Sequence, residues 1–219
     1  MTHVNRHNIG KFWSVPRKGT KYLAVSSHEK TQSMPLVVVL RDVLKIVRNK
    51  KELQRAINEK QIKINHKEIR DTNYPVSLFD IIMVSLSKKN YKALLSKNKK
   101  MIFEEVSDKE SQTKVFKIMS KKILAKNQIQ FNLMHGKNII TKEKAKTGDS
   151  VLLNLKENKL EKIIPMEKGK NVFVIKGKHT GHIGAIDEIV TRGGKEIAKI
   201  NSEEGKINVW TKNLIVINK

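Results

Sequence analysis

The sequence predicts an α+β chain of several small domains, with two helices and a hairpin toward its N-terminal end and β structure from about residue 114 onward. Apolar residues recur at helical spacing at Leu36, Val37, Leu40, Val43, Leu44 and Val47. The period then switches to two at Ile62-Lys63-Ile64-Asn65 and Lys67-Glu68-Ile69-Arg70. Beyond residue 114, short apolar runs alternate with turn signals such as His135-Gly136, Gly148-Asp149 and Arg192-Gly193-Gly194, a spacing that suits small barrels.

Residues 1–34 show no period. Trp13, Tyr22 and Leu23 stand among Arg6, Lys11, Arg17, Lys18 and Lys21, which suits a basic arm that orders against RNA. Pro35 opens the first helix, since proline is tolerated in the first turn. Asn49-Lys50-Lys51-Glu52 is a capping-box pattern and starts a second helix through Leu53, Ile57 and Glu59. The two form a short αα-hairpin. A tight turn is expected at Asn65-His66, a bend at Tyr74-Pro75, and a returning strand over Asp80-Ile81-Ile82-Met83-Val84. Residues 85–100 read as a basic junction with a helical turn at Tyr91 to Leu95. The acidic cluster Glu104, Glu105, Asp108 and Glu110 reads as a solvated turn. Strands follow at Ile129 to Leu133, Val151 to Leu155, Leu160 to Ile164, Val172 to Ile175, Ile183 to Val190, Ile207 to Trp210 and Leu214 to Ile217.

Charge narrows the function more than the fold. The 219 residues hold 45 basic and 21 acidic side chains, a formal net charge of +24. Every long segment is net positive, and the largest excess lies at 41–100. A polyphosphate is the natural counterweight to such a chain, so a nucleic-acid partner is expected. All but seven of the basic residues are lysine. Arginine gives planar, two-point phosphate recognition, so those seven are worth separate notice.

Other classes are disfavoured. Cysteine is absent, so neither a disulfide framework nor a thiolate zinc site is available. No apolar run approaches the ~20 residues of a membrane span. Asn5 to Lys11 is polar where a signal peptide would be apolar, which predicts an intracellular protein. No phosphate-binding P-loop, metalloprotease motif or nucleophile signature occurs, so no catalytic residue and no cofactor is expected. His179-x-x-His182 has zinc-like spacing but no further ligand cluster, and no metal site is expected.

The most informative stretch is 172–186. The strand Val172-Phe173-Val174-Ile175 runs into Lys176-Gly177-Lys178-His179-Thr180-Gly181-His182, and Ile183-Gly184-Ala185-Ile186 begins another strand. Its glycines allow positive φ and close backbone approach, and no acid interrupts it. Such a loop can press its amides against phosphate.

This loop resembles a KOW motif. Together with Pro35 to Lys45, Ile62-Lys63-Ile64, Arg70-Asp71, Tyr74-Pro75-Val76, Asp80-Ile81-Ile82, Trp13-Ser14-Val15-Pro16-Arg17-Lys18 and Asn132 to Ile139, it makes nearly the whole chain similar to the archaeal and eukaryotic small-subunit ribosomal proteins of the S4e family. The resemblance implies an S4-like RNA-binding domain at 35–98, a central β domain at 99–167 and a KOW-bearing, Src-homology-3-like barrel at 168–219. It implies a non-catalytic, rRNA-binding structural component of the small subunit. Its partners would be small-subunit rRNA and neighbouring ribosomal proteins, with a cytoplasmic location, no membrane and no homo-oligomer. The chain departs from the family pattern at Ser27-His28-Glu29-Lys30, where Pro-Gly-Pro-His is usual, at Asn65-His66 in place of Asp-Gly, and at Ser77 in place of glycine.

The expected RNA contacts are basic side chains on the exposed face of the αα-hairpin. Arg41 and Lys45 share a face at i and i+4, and Arg48 lies at the helix end. Lys63 and Arg70 extend this set from the hairpin, and Arg6, Arg17, Lys18 and Lys21 from the arm. In the KOW-like loop, Gly177, Gly181 and Gly184 supply backbone geometry while Lys176, Lys178 and His179 supply donors. Arg192 and Lys212 are edge contacts, and Trp210 is read as barrel core or rim. Two alternatives share the basic modules: a KOW-type transcription-associated factor and a ribosome-assembly factor.

Overall fold

The structure, a computed structural model, describes residues 3–125, 128–203 and 205–217. The chain divides into two compact units. The first takes the chain up to 95 together with 99–112, and the second takes 96–98 and the chain from 113 onward.

In the first unit the N-terminal segment is folded. Strand β1 (His3–Asn5) pairs antiparallel with β2 (Tyr22–Ala24). Trp13 and Leu23 are buried in the core. The Phe12 carbonyl accepts from the Met101 amide at 2.7 Å, and the Trp13 carbonyl from Lys100 Nζ at 2.9 Å. The expected irregular arm at 1–34 is therefore corrected. Trp13 and Leu23 are apolar enough to be drawn into this core, whereas Tyr22 stays exposed beside Arg17, Lys18 and Lys21 in the outer part of the segment.

Strand β3 (Met34–Pro35) pairs with β6 (Pro75–Val76), and Pro35 caps the first helix from outside rather than from within. That helix is short. Helix α1 (Leu36–Val38) continues as one wide π-type turn over Val39–Val43, with the Leu44 amide bonded to Val39 O and the Ile46 amide to Leu40 O. Lys45 then adopts a φ of 55° and ends it, where helical spacing had suggested continuation to Val47. Leu36 to Leu40 are all buried, and Val37-Val38-Val39 is a β-branched run of modest helix propensity. Burial holds this turn more than intrinsic preference does. Helix α2 (Lys50–Asn58) matches expectation. Asn49 Oδ1 accepts from the Glu52 amide at 2.9 Å, and Glu52 Oε2 accepts from the Arg48 amide at 2.7 Å.

The rest of this unit is an antiparallel sheet ordered β5-β4-β7-β8-β9, from β4 (Ile62–Ile64), β5 (Lys67–Glu68), β7 (Ile81–Val84), β8 (Lys89–Leu95) and β9 (Met101–Val106). The turn between β4 and β5 has positive φ at both Asn65 and His66. Asn65 holds this turn by bonding outward: its amide donates to Asp80 Oδ1 at 2.5 Å, and its carbonyl accepts from the Ile81 amide at 3.0 Å. The expected junction at 85–100 is instead a hairpin. The helical turn expected at Tyr91 to Leu95 lies in β8, whose alternate residues Tyr91 and Ala93 enter the core. Glu104 and Glu105 lie on the edge strand β9, where Glu105 pairs with Lys89 at 2.6 Å. The boundary expected at 98/99 thus falls inside one sheet, because β8 and β9 hydrogen-bond across it.

The second unit carries two antiparallel five-stranded sheets. One runs β12-β11-β10-β13-β14, from β10 (Thr113–Ile123), β11 (Ile129–Leu133), β12 (Asn138–Thr141), β13 (Ser150–Asn154) and β14 (Leu160–Ile164). Strand β10 pairs β13 with its first half and β11 with its second, and a bulge at Met119 marks the change. The other runs β18-β17-β16-β15-β19, from β15 (Asn171–Val174), β16 (Ile183–Arg192), β17 (Lys195–Ser202), β18 (Gly205–Trp210) and β19 (Leu214–Val216). Its core gathers Val172, Val174, Ile186, Ala198, Ile200 and Leu214. Among the described residues the architecture is mostly β with two short α-helices.

Candidate nucleic-acid interface

Three basic patches emerge, two of them grooves. The first, of about 790 Å³, is lined by Lys45, Arg48, Lys51 and Arg55 with Ile46, Asn49 and Glu52. It is built by the left-handed Lys45, which turns the chain, and by the capped start of α2. The four cationic side chains are exposed. Glu52 is engaged by the Arg48 amide and Arg55 is paired with Glu59 at 3.0 Å, so Lys45, Arg48 and Lys51 supply the groove's excess charge. The first turn of α2 adds partial positive charge.

Arg41 differs from expectation. Its guanidinium is bound two-point to Asp42, Nε to Oδ1 and a terminal nitrogen to Oδ2, each at 2.8 Å. That hydrogen bond raises the Arg41 pKa further. The shared i, i+4 face of Arg41 and Lys45 does not form, because the helix has ended before Lys45. Lys51, which sequence reasoning used only for the capping box, belongs to the groove. The cap itself was the available signal, since it fixes which residues open α2.

The second groove, about 660 Å³, is lined by Arg6, His7, Arg17, Lys18, Thr20 and Lys21, among others. Arg6 builds it rather than merely lining it. Its guanidinium donates to Pro16 O at 2.6 Å, Thr20 O at 2.7 Å and Thr20 Oγ1 at 3.0 Å. Gly19, beside that guanidinium, has a φ of 142°, a conformation that L side chains rarely adopt, which explains a glycine there. Arg17, Lys18 and Lys21 are left exposed. On the hairpin, Lys63 is half-buried opposite Glu68, and Arg70 is exposed.

The third patch is the loop between β15 and β16. Lys176, Gly177 and Lys178 are exposed, and His179 is half-buried. Thr180 Oγ1 donates to Gly177 O at 2.8 Å, and the Gly181 amide to Val174 O at 2.9 Å. The Ile175 amide bonds Asn213 O at 2.8 Å, which brings this loop beside exposed Lys212. The glycines divide in role. Gly177, at φ 106°, has no atom closer than 3.8 Å to an added Cβ. At Gly181 a Cβ would meet Ser96 O at 2.3 Å, and at Gly184 it would meet Asn201 O at 2.4 Å. The close approach these two permit is to the chain's own backbone. Arg192 is exposed at the β16–β17 turn. Trp210 is 49% exposed, which leaves the rim rather than the core of its two expected placements.

Two lysines are unexpectedly buried, Lys114 at 2% and Lys117 at 4% exposure. The Lys114 ammonium lies 4.6 Å from the Phe116 ring centre. Lys117 Nζ donates to Thr211 O at 2.6 Å, Leu214 O at 2.7 Å and Lys212 O at 3.1 Å. Burial pushes its pKa down to about 8. Among the described residues no group of His, Cys, Asp or Glu could hold a metal ion, and no helix is long and apolar enough to cross a membrane.

Comparison with known proteins meets this geometry. Residues 34–82 match the S4 domain, and residues 87–160 match Ribosomal family S4e. The chain is 34% identical to small ribosomal subunit protein eS4 of Methanospirillum hungatei, over 85% of this chain and 79% of that one. It is 32% identical to the protein of the same name from Methanocella arvoryzae, over 99% and 94% respectively. Its fold is similar to the crystal structure of the 30S ribosomal protein S4e from Thermoplasma acidophilum, with a TM-score of 0.74 at 24% identity, covering 87% of this chain and 97% of that one.

Proposed function

Because the chain belongs to the S4e family of small-subunit ribosomal proteins, we propose that it is a structural, rRNA-binding component of the small ribosomal subunit, acting in the cytoplasm. The family is one of ribosomal structural proteins and not of enzymes. The observation that carries the RNA-binding reading is the groove at Lys45, Arg48 and Lys51, which lies within the residues that match the S4 domain. Exposed lysines and an arginine at a helix start bind phosphate by position and charge, which suits a folded RNA whose base edges are hidden.

The groove at Arg17, Lys18 and Lys21 serves as a second phosphate site, held open by Arg6. The sheet β15–β19 is a Src-homology-3-like module, and its KOW-type loop offers Lys176, Lys178 and the Gly177 backbone, with Lys212 alongside. Lys63, Arg70, Arg192 and the partly accessible His179 are peripheral contacts. Neighbouring ribosomal proteins are further partners.

The test is a salt titration of binding to transcribed small-subunit rRNA. Each neutralised phosphate contributes roughly 0.7–0.9 to the log–log slope. Replacing Lys45, Arg48 and Lys51 together with alanine is expected to reduce the slope by about 2–3 on that scale and to weaken binding at every salt concentration. A flat titration for the wild type would refute the reading. Stoichiometric presence in purified mature subunits separates it from an assembly factor that departs.

A further inference from the structure

We infer that the outward face of the sheet β16–β17–β18 is a stacking platform for one unpaired RNA base, with Trp210 as the plate. This rests on the RNA-binding reading above and adds a kind of contact that the basic grooves do not supply.

Strand alternation sends Ile207 and Val209 of β18 into the core and leaves Lys206, Asn208 and Trp210 outside. The register sets Trp210 opposite Ile197, and Ile197 opposite Val190. Both of these are half-buried, so an apolar row of three crosses the sheet with the indole at its exposed end. The core does not need this indole, whose surface is half in water.

The rows beside it are charged, and the balance is positive. Arg192 and Lys195 face each other across β16 and β17, and both are exposed. Lys195 Nζ lies 4.8 Å from the Trp210 ring centre. Two of the neighbourhood's acids are ion-paired and the third accepts a hydroxyl hydrogen bond. Glu188 is bound by Lys199 at 2.7 Å and Asp187 by Lys206 at 3.6 Å, while the Glu196 carboxylate accepts from Thr211 Oγ1 at 3.3 Å.

A flat apolar plate edged by spare cations complements a nucleotide, which joins a flat apolar base to a phosphate. Every base has a π-face, so such stacking tolerates sequence. Lys195, on a mobile exposed stem, can leave the ring to meet the phosphate of the stacked nucleotide, and Arg192 can meet the next. The base must be unpaired, because a paired base presents only its edge. The platform therefore selects a bulge, loop or single-stranded junction.

The test uses the full chain with transcribed small-subunit rRNA. Trp13 is buried in the first unit at 4% exposure, so a change in tryptophan emission on RNA binding reports Trp210. Quenching is expected in the wild type and is lost in Trp210→Phe, which nonetheless keeps most of the affinity. Trp210→Ala and Trp210→Leu are expected to bind between roughly fivefold and a hundredfold more weakly, the range for losing one stacked base. The salt slope falls in both by less than the roughly 2–3 expected for the Lys45, Arg48 and Lys51 replacement, since no cationic side chain is removed. The leucine variant keeps apolar packing on the sheet, so a loss it shares with alanine is a loss of stacking and not of folding. Wild-type affinity in both variants, beside tight salt-sensitive binding by the wild type, overturns the platform and leaves the RNA-binding reading intact. Normal binding of naked rRNA by Trp210→Leu, with loss from assembled subunits, assigns the face to a neighbouring protein and also overturns it. Failure of the wild type to bind rRNA removes both.

Discussion

Replacing Lys117 with methionine probes how a cationic chain uses a lysine that RNA cannot reach. The ammonium donates to three backbone carbonyls between Thr211 and Leu214, so it ties β10 to the segment leading into β19. Two effects oppose each other. Burial lowers the pKa from 10.5 to about 8, and at about 1.4 kcal/mol per pH unit the penalty on the charged form is on the order of 3 kcal/mol. Hydrogen bonds from a charged donor contribute about 1.5–3 kcal/mol each. Methionine relieves the first and abolishes the second. Thr211 O keeps a second donor, the Leu214 amide, so one or two carbonyls lose their partner at about 1–3 kcal/mol each. The expected outcome at pH 7 is a loss of about 2–4 kcal/mol, read by urea unfolding with Trp210 emission as the probe for the second unit. A variant as stable as the wild type would show that the ammonium is a net cost, as buried ion pairs often are, and would refute the clamp.

The pH dependence gives an independent reading. The folded pKa lies below the unfolded value, so between about pH 8 and 10.5 the unfolded state holds more protons at this site than the folded state. Raising the pH through that window therefore adds stability through Lys117, and below about pH 8 the site contributes no slope. The wild type should gain stability over Lys117→Met across that interval, and equal pH profiles would place the ammonium in water.

Arg6→Ala removes three hydrogen bonds from the loop at 16–21. Limited trypsin digestion should then cut after Arg17, Lys18 and Lys21 several-fold faster, whereas an unchanged rate would mean that the loop holds itself. Gly181→Ala places a Cβ 2.3 Å from Ser96 O at a φ of 88° and should cost more than about 3 kcal/mol; Gly177→Ala, in open space, should cost about 1–2 kcal/mol, with thermal unfolding giving the ranking. Asn65→Gly keeps the turn geometry but forfeits both bonds to the Asp80–Ile81 segment, so a loss of about 1–3 kcal/mol is expected, and a gain would mean that φ alone governs this turn. Lys114→Glu should unfold the second unit while exposed Lys109→Glu leaves stability near wild type, as urea midpoints will show; equal midpoints would contradict the burial of Lys114.

Local patterns proved readable where chemistry within a few residues decides the outcome. The capping box at Asn49 and Glu52 formed as spaced, and the runs at 129–133 and 160–164 became strands over those same residues. The tight turn at Asn65-His66 also formed, although its stability comes from Asp80, fifteen residues away. The long β10 escaped notice because its lysines interrupt the alternation, and two of those lysines are buried. The first helix was overextended because an apolar run buried on all sides looks periodic whether or not the helix continues. Among the candidate contacts, Arg48, Lys176 and Lys178 are exposed, whereas Arg41 is paired with Asp42 and Arg6 is bonded to its own loop.

The sequence by itself determined a strong cationic excess, which points to a polyanion, and which short segments turn, cap or extend. Charge count and local periodicity are properties of neighbours along the chain and need no tertiary partner to be read. Tertiary structure alone decided which cations are exposed and which hold carbonyls or carboxylates, that Gly181 and Gly184 lie against the chain's own backbone, and that Trp210 faces water. Those outcomes depend on pairings between residues far apart in sequence, and a lysine's role is fixed by whichever distant acceptor or solvent folding brings to its ammonium.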